Sequence, residues 1–193
     1  MMQITQSKTN IYINKYKLII MGNNHALWFD KSKRKVLVIS FEDYYQKKIA
    51  KTISKIDITV NDSIGFTTDE IYYKDLELKM WYLTTKNKHL WKHHYLGTQG
   101  IIMIFSFSQK QDEKIIFEAM NVFCDINIVS IPILVLIDTN NKDEMIVEKL
   151  RTEMNKNAKI SNDIRFQQVN FEDNIGEVQS GFDWLCETMK PLA

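Results

Sequence analysis

Apolar residues fall along this chain in two kinds of run, and their order predicts an α/β sheet. Val36-Leu37-Val38-Ile39, Ile101–Phe107 and Ile131–Ile137 are nearly unbroken apolar stretches. A strand covered on both faces, as in a parallel sheet, needs that continuity. Between them lie segments of helical period. Residues 44–56 space Ile49, Ile53 and Ile56 by four and three. Asp112–Val122 opens on acidic residues, which suit the positive end of a helix dipole. Lys142–Asn155 carries Met145, Val147, Leu150 and Met154, and Val178–Met189 sets Val178, Phe182, Leu185 and Met189 on one stripe. Lys88–Leu96 reads as a further short helix and Ile164–Val169 as a short strand. Asp69–Tyr73 and Leu76–Tyr82 alternate about Lys74-Asp75, the pattern of a two-residue β-hairpin. Strands alternating with helices imply a mostly parallel sheet covered on both faces, which the hairpin makes mixed. Sheets of this kind bind ligands at the carboxyl ends of their strands. The loops after Ile39, Tyr82, Phe107, Ile137 and Val169 are therefore where chemistry is expected.

Composition narrows the function more than the fold. At 193 residues the chain is one domain, given roughly 100–200 residues per domain. Lys and Arg number 25 against 24 Asp and Glu, so no basic excess marks a nucleic-acid binder, and no nucleic-acid partner is expected. Two cysteines exclude a disulfide scaffold and fit a reducing, cytoplasmic compartment. The apolar run Ile126–Ile137 falls short of the roughly 20 residues that span a bilayer. Residues 1–20 lack both acidic residues and a signal-peptide cleavage pattern, and read as an extension outside the ordered body.

Ser63–Tyr82 (SIGFTTDEIYYKDLELKMWY) and Leu90–Phe105 (LWKHHYLGTQGIIMIF) carry a family signature. Ile64, Gly65, Phe66, Tyr73, Lys74, Trp81, Leu90, Trp91, His93, Thr98, Gln99 and Gly100 stand in the order and spacing of the Arf family of small GTPases, which this chain resembles. Gly181–Met189 (GFDWLCETM) resembles that family's final helix, and the run from Met21 resembles its amino terminus. The resemblance implies the small-GTPase form of the P-loop NTPase fold, with a six-stranded, mixed but mostly parallel sheet and helices on both faces. It divides the chain into an extension (1–20), an Arf-like amino-terminal segment (21–34) and the domain proper (35–193).

The chemistry of that fold needs a glycine-rich loop whose backbone N–H groups approach phosphate closely. Residues 23–64 contain no glycine. The equivalent loop begins at Ser40, two tyrosines (Tyr44, Tyr45) stand where backbone should meet phosphate, and Glu42 and Asp43 add negative charge. Gln46 falls at the phosphate lysine, with Lys47 or Lys48 as a stand-in one register away. Ser63 keeps the switch I hydroxyl, and the switch II DxGGQ motif falls on Tyr82–Lys86 without its Asp, Gly or Gln. The guanine-reading motif falls on Asp138–Asn141, with Asn141 where the base-pairing acid belongs. Phosphate, metal, catalytic and base contacts are thus all eroded. The expectation is a non-catalytic pseudo-GTPase that needs neither GTP or GDP nor Mg²⁺ and acts as an interaction or scaffold subunit. The alternative is a divergent but working GTP switch in membrane traffic, with those cofactors retained. A tyrosine filling the phosphate pocket favours the first, and an open pocket the second.

Two surfaces are expected to survive. In the family, effectors read an aromatic patch on the hairpin between the switches, which here falls on Phe66 and Trp81 with His94 and Tyr95. The competing reading buries these rings under the hairpin. Residues 21–35 combine Gly22, a lipidation candidate only if translation starts at Met21, with Leu27, Trp28, Phe29 and a basic cluster. They are expected at a membrane surface if Met21 is the start, and as an interfacial or docking helix if Met1 is. His89 and His93 share a helix face but lack further ligands, so no metal site is expected. Cys186 reads as core packing, and Lys47, Lys48, Lys51 and Lys55 as a solvated helix face.

Overall fold

The computed structural model describes residues 12–14, 17–19, 33–54, 65–107, 112–126, 131–139, 144–157, 163–172 and 175–189. In chain order the elements are β1 (Tyr12–Asn14), β2 (Lys17–Ile19), β3 (Lys33–Ser40), α1 (Asp43–Ile53), β4 (Phe66–Tyr73), β5 (Leu76–Leu83) and a 3-10 helix (Thr85–His94). Next come β6 (Gly100–Phe105), α2 (Asp112–Ile126), β7 (Ile133–Asp138), α3 (Glu144–Asn157), β8 (Ile164–Val169) and α4 (Ile175–Thr188). Strands β3 to β8 form one six-stranded sheet in the order β4-β5-β3-β6-β7-β8. Only β4 runs antiparallel, paired with β5 from Phe66↔Leu83 to Tyr73↔Leu76.

The continuous apolar runs are buried as expected: every residue of β6 and β7, and Val36–Ser40 of β3, is inaccessible. Both faces are covered. Val36, Val38, Met80, Tyr82 and Leu134 point to a core closed by α1 and α4 through Ile49, Val178, Phe182 and Leu185. Leu37, Ile39, Met103 and Val135 point to a second core closed by α2 and α3 and by Trp91 of the 3-10 helix. Cys186 is buried in the first core, which fits a packing role.

Within the extension read at residues 1–20, β1 and β2 form an antiparallel pair separate from the main sheet, with Ile13 opposite Leu18. The helix read at Lys88–Leu96 is a 3-10 helix that begins at Thr85. At three residues per turn, positions four apart do not share a face, so His89 and His93 diverge. No group of three metal-ligating side chains occurs among the described residues.

The hairpin tip is fastened to α4. Lys74 adopts φ 52°, a left-handed conformation that costs a side-chain-bearing residue energy. Its ammonium lies 2.9 Å from Asp183 and 3.3 Å from Glu187. Tyr73 Oη donates to Asp183 at 2.5 Å and accepts from Gln179, while its ring packs edge-on against Phe182.

Candidate functional site

The crevice at the carboxyl ends of β3, β6 and β7 is built by the segments that leave those strands. Only Phe41 and Glu42 separate β3 from α1. Ser40 Oγ donates to the Glu42 carbonyl (2.7 Å) and accepts from the Glu42 amide (3.1 Å), turning the chain directly into the helix. The segment that a phosphate-binding loop would occupy is therefore the first turn of α1. Its Tyr45 amide is already bonded to the Glu42 carbonyl at 3.3 Å.

From that first turn Tyr45 crosses the crevice. Its side chain is 7 % exposed. The hydroxyl donates to Asp138 Oδ2 at 2.6 Å, at the end of β7, and shares a second bond with Ser106 Oγ at 2.9 Å, just beyond β6. The ring packs on Phe171 from the loop after β8 and edge-on to Tyr44. Burial and the hydrogen bond to Asp138 push the phenol far above its usual range, so it stays protonated and able to donate. Outside it, Tyr44 Oη donates to Glu172 at 2.5 Å and Lys48 Nζ lies 3.0 Å from the same carboxylate. These contacts tie α1 to the β8–α4 loop.

The nucleotide-site candidates thus fall into three groups. Ser40, Gln46 and Asp138 are buried around the crevice. Gln46, at the phosphate-lysine position, donates its amide to the Leu83 carbonyl, and its Oε1 has no partner among the described residues. Lys48 is held by Glu172 at the rim, contrary to a wholly solvated row, while Lys47 and Lys51 are exposed. Ser63, Asn141 and Gly22 lie outside the described residues, as does Lys55.

The residues at the crevice that would meet a guanine nucleotide with Mg²⁺ are arranged differently from a glycine-rich phosphate cradle. Phosphate needs a cradle of free backbone N–H groups, and here that stretch is helical with a phenol side chain in place of a glycine. Asp138 is buried, and burial together with Asp138 raises the pKa of the Glu42 carboxyl, which favours its neutral form. Sequence reasoning pointed to a tyrosine plug but not to its anchors. Ser106 and Phe171 belong to no motif, and only the fold brings them beside Tyr45.

The hairpin carries the second candidate site. Phe66 and Trp81 stack at 4.6 Å, and the His94 ring closes on both at 4.9 and 5.4 Å. All three are half-buried, whereas Trp91 is core and donates Nε1–H to the Thr84 carbonyl. Lys35 and Lys79 place ammonium groups over the Trp81 ring at 4.8 and 5.8 Å. Burial and the neighbouring Lys35 and His93 lower the His94 pKa, which favours the neutral ring. Tyr95, like Phe66 and Trp81, is partly buried against the second core.

Known proteins give the same architecture. The chain is 25 % identical to ADP-ribosylation factor K of Dictyostelium discoideum over 175 residues, covering 87 % of this chain and 92 % of that protein. It is 26 % identical over 98 residues to ADP-ribosylation factor J of the same organism, covering 47 % of this chain and 50 % of the relative. Against the E3 ubiquitin-protein ligase arc-1 of Caenorhabditis elegans it is 25 % identical over 121 residues, 59 % of this chain but 22 % of that protein. The Trypanosoma brucei Arl6 (BBS3) small GTPase, solved with the nucleotide analogue GppNp, superposes with a TM-score of 0.64 at 17 % identity, covering 81 % of this chain and 97 % of that one. A sequence model of the ADP-ribosylation factor family matches residues 17–189, and on that match, with the six-stranded sheet and its β4–β5 hairpin, the chain belongs to the Arf family of small GTPases.

Proposed function

We propose that this Arf-family protein works as a non-catalytic interaction subunit: it neither binds nor hydrolyses GTP and engages a protein partner through the β4–β5 hairpin. The observation that carries this reading is the buried Tyr45 hydroxyl between Ser106 and Asp138, which places the chain's own side chain in the nucleotide crevice. Four eroded contacts support it, because each lost charge-assisted bond removes roughly 1.5–3 kcal/mol of nucleotide affinity. The partner surface rests on Phe66, Trp81 and His94, which keep an aromatic cluster half-open to solvent where a core would bury it. Aromatic anchors of this kind dominate protein interfaces.

The divergent-switch alternative relied on Lys47 or Lys48 reaching phosphate and on Ser63, which lies outside the described residues. Lys48 is committed to Glu172, and Lys47 points from the exposed side of α1. No helix among the described residues is long and apolar enough to cross a membrane. Attachment at a cytoplasmic membrane surface through residues 21–35 belongs to the same proposal.

The test is thermal melting of the full chain with excess GTP, GDP and Mg²⁺, together with single-turnover GTP hydrolysis. A ligand at 100 times its Kd adds about 2.7 kcal/mol, a shift of several degrees. We expect no shift and no turnover. A Mg²⁺-dependent shift, or product formation by the clean protein, overturns the reading.

A further inference from the structure

We propose that Lys35, near the start of β3, is the positioning residue of the hairpin's aromatic face: its ammonium fastens the end of the 3-10 helix against the Trp81 ring and so sets the rings of Trp81 and His94 in place. The inference rests on the reading of that face as the partner surface, and it names the residue that holds the face in shape before any partner arrives.

The pleat of the sheet puts Lys35 where it can do this. Leu37 and Ile39 of β3 point to the second core, so Lys35, two positions earlier, leaves the strand on the same side. On the neighbouring β5, Leu83 and Trp81 pack on that side too, and Leu37 pairs with Trp81 in the ladder. The 3-10 helix lies over the same side through Trp91. Lys35 therefore stands between the Trp81 ring and the end of that helix.

Both ends of the residue are used. Lys35 Nζ donates to the His94 and Leu96 carbonyls at 2.5 and 3.1 Å, and lies 4.8 Å from the centre of the Trp81 ring. At the backbone, the Gln99 amide donates to Lys35 O at 2.9 Å, and the Lys35 amide donates to Gln99 Oε1 at 2.6 Å. The last carbonyls of a helix lack partners within it, and a cation there also meets the negative end of the dipole. One ammonium thus grips the backbone that carries His94 and the face of Trp81, whose rings lie 5.4 Å apart. Burial lowers the Lys35 pKa, so the charge gives up water to sit there, and the two carbonyls and the ring offset that loss.

A second lysine touches the same ring in a different way. Lys79 Nζ lies 5.8 Å from the Trp81 centre but is half-exposed and paired with Glu70 on the opposite hairpin strand at 3.5 Å. It moves with the hairpin and joins it to nothing else. His94 is the group that reports on Lys35. The charges around it are Lys35 from β3, Lys79 with Glu70 from the hairpin, and His93 from its own helix. Burial, then Lys35, then His93 favour its neutral ring.

The experiment is nuclear magnetic resonance of the full chain, with 5-fluorotryptophan and labelled histidine. The Trp81 fluorine signal is assigned with Trp81→Phe. Lys35→Met should move that signal and raise the His94 titration midpoint, and Lys35→Arg, which keeps the charge and the donors, should bring both back toward the parent. Lys79→Met should move the Trp81 signal less than Lys35→Met does. A merely structural lysine would lower the melting temperature and leave the His94 midpoint where it was. A Trp81 signal unmoved in Lys35→Met overturns the proposal, and so do equal shifts in Lys35→Met and Lys79→Met, which would trace the effect to charge near the ring alone. Should Lys35→Met fail to fold, the parent decides: contacts between the Lys35 ε-methylene and the Trp81 ring protons are expected, and their absence overturns the proposal. No partner or nucleotide enters these measurements, so their failure leaves the function proposed above untouched.

Discussion

The crevice and the hairpin lie on the same sheet and treat their aromatic residues in opposite ways. At the crevice Tyr45 is turned inward, its ring against Phe171 and its hydroxyl bonded to Asp138 and Ser106. On the hairpin Phe66, Trp81 and His94 stack on one another but keep one side toward solvent. A buried polar group is costly unless paired, and the tyrosine hydroxyl pairs with the Asp138 carboxylate. A half-exposed ring cluster has no such requirement. The two regions together set a crevice crossed by the chain's own tyrosine against a half-exposed face built from side chains the family signature retains.

The largest break in this comparison comes from Tyr45→Ala. Removing a buried ring and the partner of Asp138 should destabilise the fold by about 4 kcal/mol, read by urea unfolding. A loss near zero would mean that the crevice is not closed by this residue. Tyr45→Phe keeps the ring and separates packing from hydrogen bonding. It should cost about 2 kcal/mol, the range for a bond to a charged acceptor.

On the other side of the comparison, Trp81→Ala should abolish capture of the hairpin partner while lowering stability by less than Tyr45→Ala does, since Trp81 is already half in water. Partner capture by Trp81→Ala equal to the parent's would place the interaction elsewhere. At the hairpin tip, Tyr73→Phe should cost about 1 kcal/mol, because its bond to Asp183 is only partly shielded from solvent. Equal losses for Tyr73→Phe and Tyr45→Phe would erase the distinction between a closed end and an open one.

The smallest effect is one of pH. Burial pushes the phenols of Tyr73 and Tyr82 up to about 12, and that of Tyr45 higher still. A phenol whose folded pKa exceeds its unfolded value holds its proton more tightly in the native state. That stabilisation is complete below about pH 10 and is lost as pH rises through the folded values. Melting temperature should therefore begin to fall above about pH 10, and Tyr45→Phe should flatten the fall. A melting temperature that holds steady to pH 12 would mean these phenols ionise as freely in the fold as in the unfolded chain.

Much of this is legible along the chain. The unbroken runs in β3, β6 and β7 announce strands covered twice, and Lys74-Asp75 announces the hairpin, because each is a local pattern that burial or turn geometry reads directly. The absence of glycine from 23 to 64 goes with a direct turn from β3 into α1 across Phe41 and Glu42. The 3-10 helix is misread from sequence, since Thr85–His94 has no regular apolar period and takes its shape from Trp91 docking beneath it. The strands of residues 12–19 escape such reading because a short polar-flanked pair has almost no signal of its own.

Sequence alone therefore determined the family and the sheet, both of which reside in neighbouring residues and their spacing. Tertiary structure decided what lines the crevice. Tyr45, Ser106, Asp138 and Phe171 are scattered over more than a hundred positions. Only parallel strand order lays the ends of β3, β6, β7 and β8 side by side, so that one phenol can satisfy two of them. The same ordering brings Leu96 and Lys35 together at the other end, where a turn fixed by long-range hydrogen bonds holds an apolar side chain in water.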